Sequence, residues 1–441
     1  MIDTIRLCLL ALQHFAFASF ISYTWLPKAS IGSITIGSTD LLLLLSVTAI
    51  LIRNAPGKTA VRKDQSGSSL LMFIFLVVGV VATFAGIVLE DNGINEAVRE
   101  ARQFFLYGLF FLVSALSPEK RQIKRIVGYL FASAVLVSLL VLLVQVAGGR
   151  LPFIAGKIES LSTGHSIAKG VMRVTMPGVP TLNLAFLLSF FLLIKRFSVT
   201  VATVFFFVAF GFLLSFTRGA WLGSVLSILV VLPFVDKSIR KALLRYGFLI
   251  AVMASMVLVM GSAGWFGDRL ERYATGATER FQSMAPGKMQ ADQSFQYRAF
   301  EAKRAMERIW ESPVIGHGLG AIAQKVYWKT ESGRDETLVT GYIHNGYVNL
   351  LFKMGFIGLL AFVLLMGTFC YTSLTKLKHI QDEYLKSVHI GGLCFVISNI
   401  PQAFVNPTIM EGKSIINIAV AMGLCVLAVR ADQQLRLRSD G

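Results

Sequence analysis

Apolar residues run along this chain in unbroken stretches separated by short polar punctuation. "FFLYGLFFLVSAL" and "VTVATVFFFVAFGFLLSF" carry no charge, and they approach the roughly 20 residues needed to cross a hydrocarbon core ~30 Å thick. Backbone groups in lipid must bond internally, so spans are helices or a closed barrel. Without strict alternation, the pattern selects helices. It predicts an all-α, polytopic integral membrane protein with about twelve transmembrane helices. They fall at 7–25, 34–52, 69–89, 101–117, 126–147, 179–194, 199–217, 219–235, 246–264, 346–372, 386–402 and 415–430. The first stretch lacks a small-residue cleavage site and reads as a span. An even number of spans puts both termini on one side.

Composition agrees: 55% of residues are hydrophobic and 15% charged, with mean hydropathy +0.66, where a soluble domain carries about 25% charged residues. The net charge of +17 raises nucleic acid as a partner, but its distribution argues against one. Alternate short loops concentrate it: Arg53, Lys58, Arg62 and Lys63; Lys120, Arg121, Lys124 and Arg125; Lys237, Arg240, Lys241 and Arg245; Lys376, Lys378 and Lys386. Loops between these carry few cations, and "LEDNGINE" is acidic. Basic loops stay cytoplasmic, so both termini are expected there. The charge then follows membrane orientation and anionic lipid, not a nucleic-acid groove.

That topology divides the chain into helices 1–9 (1–264), a periplasmic loop domain (265–345), and helices 10–12 with a short cytoplasmic tail (346–441). In the loop, "SFQYRAFEAKRAMERIW" reads as an amphipathic helix, with Phe295, Ala299, Ala302, Met306, Ile309 and Trp310 on one face. Arg304 and Arg308 project away, and Arg298 falls at the border, about 70° from the apolar centre. "ESPVIGHGLG" then ends the helix with Pro and Gly. Cys8, Cys370, Cys394 and Cys425 lie in or at the edges of spans without metal-ligand spacing, and read as small buried apolar residues.

Several far-side residues are candidates for chemistry. In "SFTRGAWLG", Arg218 is a lone cation where two spans meet, opposing the usual charge bias. It is either an arginine snorkelling to headgroups or a bidentate phosphate donor with small residues beside it. In "GYIHNGYVNLLFKMG", His344 sits at the mouth of a span, as an interfacial cap or as a base for a hydroxyl near neutral pH. Arg298 is the third candidate, on a flank that is otherwise a solvated edge. Arg173 and Arg102 are further far-side cations for a phosphate pocket. His317 is a weaker candidate, equally read as a loop residue. No Walker loop follows a strand, and neither an Asp-x-Asp pair nor a His/Cys cluster suggests a metal. The expectation is therefore no cofactor and no metal.

These residues resemble the O-antigen ligase family, within the group that also holds O-antigen polymerases and protein O-oligosaccharyltransferases. Ligases show an Arg, three residues, Leu motif and a His, ten residues, Gly motif. Here these are Arg218-Gly-Ala-Trp-Leu222 and His344 through Gly355. "YRAFEAKRAMERIWESPVIGHGLG" is similar to that group's loop helix, whose early arginine, here Arg298, goes with the active site.

The resemblance implies transfer of a glycan from undecaprenyl pyrophosphate to a sugar hydroxyl of lipid A–core oligosaccharide. The setting would be the periplasmic leaflet of a Gram-negative inner membrane. His344 is then the base, and Arg218 and Arg298 clamp the pyrophosphate, with inversion at the anomeric carbon and no need of a metal. A polymerase or a protein O-oligosaccharyltransferase shares the donor and differs in the acceptor. A transporter needs a midplane polar site or broken helices in paired halves, and the sequence displays neither. The reading requires Arg218 and His344 to face one site.

Overall fold

The computed structural model describes residues 2–22, 25–31, 34–51, 67–149, 151–160, 171–195, 197–245, 293–329, 335–340 and 343–439, with short helical pieces between 272 and 282. The predicted span 246–264 lies outside the described residues.

In chain order the helices are α1 (Ile2–Ala18), α2 (Ser38–Leu51), α3 (Gly67–Val88), α4 (Ile94–Phe104), α5 (Leu109–Ser114), α6 (Lys120–Ala147), α7 (Val179–Lys195), α8 (Val199–Leu214), α9 (Arg218–Val231), α10 (Gln293–Ile309), α11 (Gly346–Leu377), α12 (Glu383–Gln402) and α13 (Gly412–Ser439). Among the described residues three antiparallel hairpins accompany them: β1 (Lys28–Ile31) with β2 (Ile34–Gly37), β3 (Lys157–Ser160) with β4 (Met172–Thr175), and β5 (Gln324–Lys329) with β6 (Asp335–Thr340). β1 and β3–β6 lie in connections that the apolar pattern leaves as loops, whereas β2 takes the first residues of the predicted span 34–52, so that α2 starts only at Ser38. Among the described residues, four helices, α3, α6, α11 and α13, are long and apolar enough to cross a bilayer; α2, α7, α8 and α9 are shorter apolar helices.

The predicted span 101–117 is not one helix. α4 supplies its start, a 3₁₀ turn over Phe105–Gly108 interrupts it, and α5 completes it.

α7, α12 and α13 form the centre of the bundle. Their faces are almost wholly buried, including Ser387, Ser398 and Asn417. α3 shows the opposite design. Met72, Phe75, Gly79 and Ala82 face inward, while Leu70, Phe73, Val77, Val81, Phe84 and Val88 are exposed. A helix apolar all round, with one face against protein, suits lipid on the other. Gly79 exists because a Cβ there would lie 2.1 Å from the Phe104 ring. Cys394 and Cys425 are buried as expected, but Cys8 is exposed and Cys370 half-buried, because α1 and α11 turn those positions outward.

The expected continuous span 346–372 is broken. Gly355 takes φ 61° and ψ −167°, splitting α11 into a buried half (346–354) and a longer half (356–377). The break is hydrogen-bonded by exchange. Phe352 and Lys353 carbonyls, which would accept from Phe356 and Ile357 N–H in an unbroken helix, accept instead from His317 and Gly318 N–H, at 2.8 and 2.9 Å. Phe356 and Ile357 donate to the Pro313 and Val314 carbonyls, at 2.8 and 3.2 Å. A Cβ on Gly355 would lie 2.2 Å from the Val314 oxygen. The glycine of the His-to-Gly motif is therefore where the 313–318 loop straps into α11.

Candidate functional site

α8 and α9 are joined by Ser215, Phe216 and Thr217. Phe216 adopts φ 53°, which costs a bulky residue about 1–3 kcal/mol. Packing holds it there: Phe216 is buried against Trp221, and the Trp221 indole donates to the Phe212 carbonyl at 3.2 Å. The turn thereby starts α9 at Arg218, which is half-buried. A cation at a helix N-terminus opposes the helix dipole, whereas an anion there is welcomed by dipole and guanidinium together. β4 is tied to this turn, its Val174 N–H donating to the Ser215 carbonyl at 3.2 Å.

α11 starts from the opposite direction. Asn345 caps it, its side chain accepting from Tyr347 and Val348 N–H at 3.0 and 3.1 Å. This cap leaves His344 as the residue just outside the helix. Glu301, on α10, is 2% exposed and accepts from the His344 backbone N–H at 3.0 Å and from Nδ1 at 2.7 Å. A carboxylate on Nδ1 fixes the ring's orientation and leaves the lone pair on Nε2. Three residues earlier on α10, hence on nearly the same face, Arg298 donates from Nη1 to the Val405 carbonyl at 3.0 Å.

The elements that carry the three sequence-predicted residues meet at one feature, the turn between α12 and α13 at residues 403–411. Arg298 binds Val405. Gly346, two residues after His344, donates to the Ala403 carbonyl at 2.7 Å, and a Cβ on it would lie 3.3 Å from the Asn406 carbonyl oxygen. Gly219, next to Arg218, faces the same residue, with a Cβ there 3.3 Å from Asn406 Nδ2. The first turns of α9 and α11 thus flank Asn406 from two sides.

The remaining candidates separate. Arg173 lies on β4, next to the residue tied to Ser215, opposite Glu159 in the hairpin register and 3.7 Å from its carboxylate. Arg102 is 8% exposed and its Nε is paired with Asp40, at the start of α2. That pair links α4 to the start of α2. His317 is buried, with Nδ1 2.8 Å from Glu90, Nε2 2.9 Å from the Arg308 carbonyl, and its ring against Phe352. It braces the loop that enters the α11 break.

Sequence reasoning passed over Glu301, Asn406 and Lys353. Lys353 is 1% exposed within α11, 2.9 Å from Glu100. Glu301 had a signal: an acid three residues after Arg298 shares its helix face. Asn406 had none, because its position depends on long-range packing.

The α10 face needs correction. Its buried stripe is Glu301, Ala305 and Ile309, with Arg298 half-buried, while Ala299, Met306 and Trp310 are exposed. At 100° per residue, the buried stripe lies about 90° from the apolar centre read from the sequence. The helix turns its Arg298–Glu301 pair inward at the expense of part of its apolar face.

Residues 202–363 match a family model described as O-antigen ligase. The matched segment runs from α8 through the break in α11 and contains Arg218, Arg298, Glu301, His344 and Gly355; Arg102 and Arg173 precede it. No curated protein matches the chain. The family match supports the O-antigen ligase resemblance and, together with the apolar helices, a multi-pass membrane protein.

Proposed function

We propose, from the O-antigen ligase match and the meeting of the elements that carry Arg218, Arg298 and His344 at one turn, that this chain is a lipid-linked glycan transferase. The donor is a glycan on undecaprenyl pyrophosphate and the acceptor a sugar hydroxyl of lipid A–core oligosaccharide. The reaction lies at the periplasmic face of a Gram-negative inner membrane, with both termini cytoplasmic and residues 265–345 forming the periplasmic loop domain between helices 1–9 and 10–12.

The observation that carries this reading is the Glu301–His344 pair beside Arg298. In the reaction, the acceptor oxygen attacks the anomeric carbon as the bond from that carbon to the pyrophosphate oxygen breaks. The hydroxyl proton passes to His344 Nε2, and undecaprenyl pyrophosphate leaves with an added negative charge. Direct attack inverts the anomeric configuration. General-base help of this kind contributes about 10²–10⁴-fold. Arg218, at the positive end of α9, and Arg298 receive the charge that develops on the leaving group. Arginine suits this role because it stays charged and binds phosphate bidentately. The strap through Gly355 holds His344's half-helix against the loop, which limits reorganisation during the reaction.

The test is transfer by the purified full chain from a defined undecaprenyl-pyrophosphate glycan, offered lipid A–core and, separately, a second lipid-linked repeat unit. Product on lipid A–core, in the presence of EDTA, is expected. Product only on the lipid-linked unit would make the chain a polymerase, and dependence on a divalent ion would remove the arginine clamp from the mechanism.

A further inference from the structure

α10 leaves an apolar flank uncovered by protein. Met306 is 39% and Trp310, just past the helix end, 68% exposed, and Ala299 lies on the same flank. Lys303 borders this flank, about 20° round the helix from Trp310, and beyond it Glu307 and Arg304 are exposed, with Phe300 between them beneath the Arg304 guanidinium. Leaving Met and Trp in water forfeits the gain of burying apolar surface, so an uncovered flank of this kind calls for an apolar partner.

Continuity identifies that partner. The Trp310 ring lies 6.5 Å from the ring of Phe356. Phe356 opens an exposed apolar stripe on the longer half of α11, continuing through Ile357, Leu360, Val363 and Leu364. These positions repeat at helical spacing on a helix long enough to cross a bilayer, so their partner is lipid. Val314, in the strap between the two, is also exposed. Apolar surface therefore passes from the lipid-facing side of α11 through Val314 and Trp310 to Met306.

We propose that α10 lies in the bilayer interface, with Ala299, Met306 and Trp310 at the boundary between headgroups and acyl chains, Lys303 at the edge reaching to headgroups, and Arg304 and Glu307 toward water. A helix with an apolar flank beside a charged one takes this position, and Trp is favoured at headgroup depth. The inward turn of Arg298 and Glu301 is then compatible with the sequence's apolar face, because lipid covers what protein leaves exposed. It also puts these two residues at the level where a lipid's phosphate sits. The surface stands on exposure and continuity alone and does not depend on the glycan chemistry.

The full chain, with Cys8 replaced by Ser and Cys370 by Ala, is spin-labelled at Met306→Cys or Glu307→Cys in nanodiscs of phosphatidylethanolamine and phosphatidylglycerol. Position 306 is expected to collide with oxygen, relative to a water-soluble nickel chelate, several-fold more than position 307. Equal nickel access at both overturns the proposal, as does dipolar broadening at 306 from a second copy covering the flank. A second measurement needs no added cysteine: fluorescence quenching by lipids brominated near the glycerol end of the acyl chain, wild type minus Trp310→Phe. A quenched component that disappears with Trp310 is expected, and identical quenching in both proteins overturns the assignment.

Discussion

Glu301 holds His344 at two atoms, accepting from its backbone N–H and from its ring Nδ1 across 43 residues of chain. In the proposed mechanism this is a positioning contact, since the carboxylate would touch the base and not the reacting atoms. Glu301→Gln can still accept from the ring but loses the charge that favours the protonated intermediate. The expected outcome is a fall in kcat of about 10²-fold with donor KM little changed. The discriminating measurement is the double variant. Glu301→Gln added to His344→Ala should cost no further activity, because groups acting as one unit are non-additive. An additional loss in the double variant would mean Glu301 works elsewhere.

Gly355→Ala forces a Cβ to within 2.2 Å of the Val314 oxygen at a φ of 61°, a cost of at least about 1–3 kcal/mol for the backbone alone. Gly367, in the same helix, has nothing within 4 Å of a built Cβ, so Gly367→Ala should be neutral or slightly stabilising. Thermal unfolding of both in one detergent checks the contrast. Equal Tm values would mean the strap is not needed to hold α11.

Much of the fold was legible because unbroken apolar runs encode helices directly: α3, α6, α7, α8, α12 and α13 stand close to where the runs place them. What was illegible depends on partners distant in sequence. The apolar face of α10 was a sound reading of its residues, yet the helix is rotated so that Arg298 and Glu301 meet Val405 and His344. No periodicity reports a carbonyl more than 100 residues away. The Gly355 motif could be recognised, but not its reason, since the strand of loop that replaces its helical hydrogen bonds precedes it by some 40 residues. Arg102 looked equivalent to Arg218 on charge and side; only the structure reveals Asp40 beside it.

That last difference predicts opposite phenotypes. Arg218→Lys keeps the charge and loses bidentate geometry, so donor KM should rise and kcat fall, together costing about tenfold or more, for about 1.4 kcal/mol per decade. Arg102→Lys should leave donor affinity unchanged and lower Tm, because its geometry serves the Asp40 pair. Steady-state kinetics against donor concentration, paired with thermal unfolding, separate the two. Loss of donor affinity in Arg102→Lys would return it to the pyrophosphate site.

Asp382, outside the predicted spans, supplies a pH dependence. It caps α12, accepting from Leu385 N–H at 3.0 Å and from Lys120 Nζ at 2.5 Å. Burial pushes its carboxyl up, but these hydrogen bonds and the Lys120 charge outweigh burial and hold it below the usual carboxylate range. A depressed folded-state value stabilises above the unfolded value and is lost as pH falls through the folded one. Asn caps helices nearly as well as Asp, so Asp382→Asn isolates the charge. Wild type should be more stable near neutral pH, and the Tm difference should close in acid. A constant difference would assign the effect to packing.

Asn406 is where the acceptor should be felt. Its backbone belongs to the turn that Arg298 and Gly346 bind, and its carboxamide faces the first turn of α9. Among the described residues its side chain makes no hydrogen bond, although it is half-exposed between two predicted catalytic elements. A carboxamide both donates and accepts, which fits a sugar hydroxyl better than a phosphate. Asn406→Ala should therefore raise acceptor KM, by about fivefold for each hydrogen bond of about 1 kcal/mol, with donor KM unchanged. Asn406→Asp places an anion beside the N-terminus of α9, where it competes with pyrophosphate for the same positive field, so that variant should raise donor KM as well. Initial rates measured against each substrate in turn distinguish the outcomes. If Asn406→Ala moves only donor KM, the turn belongs to the pyrophosphate and the acceptor enters from another side.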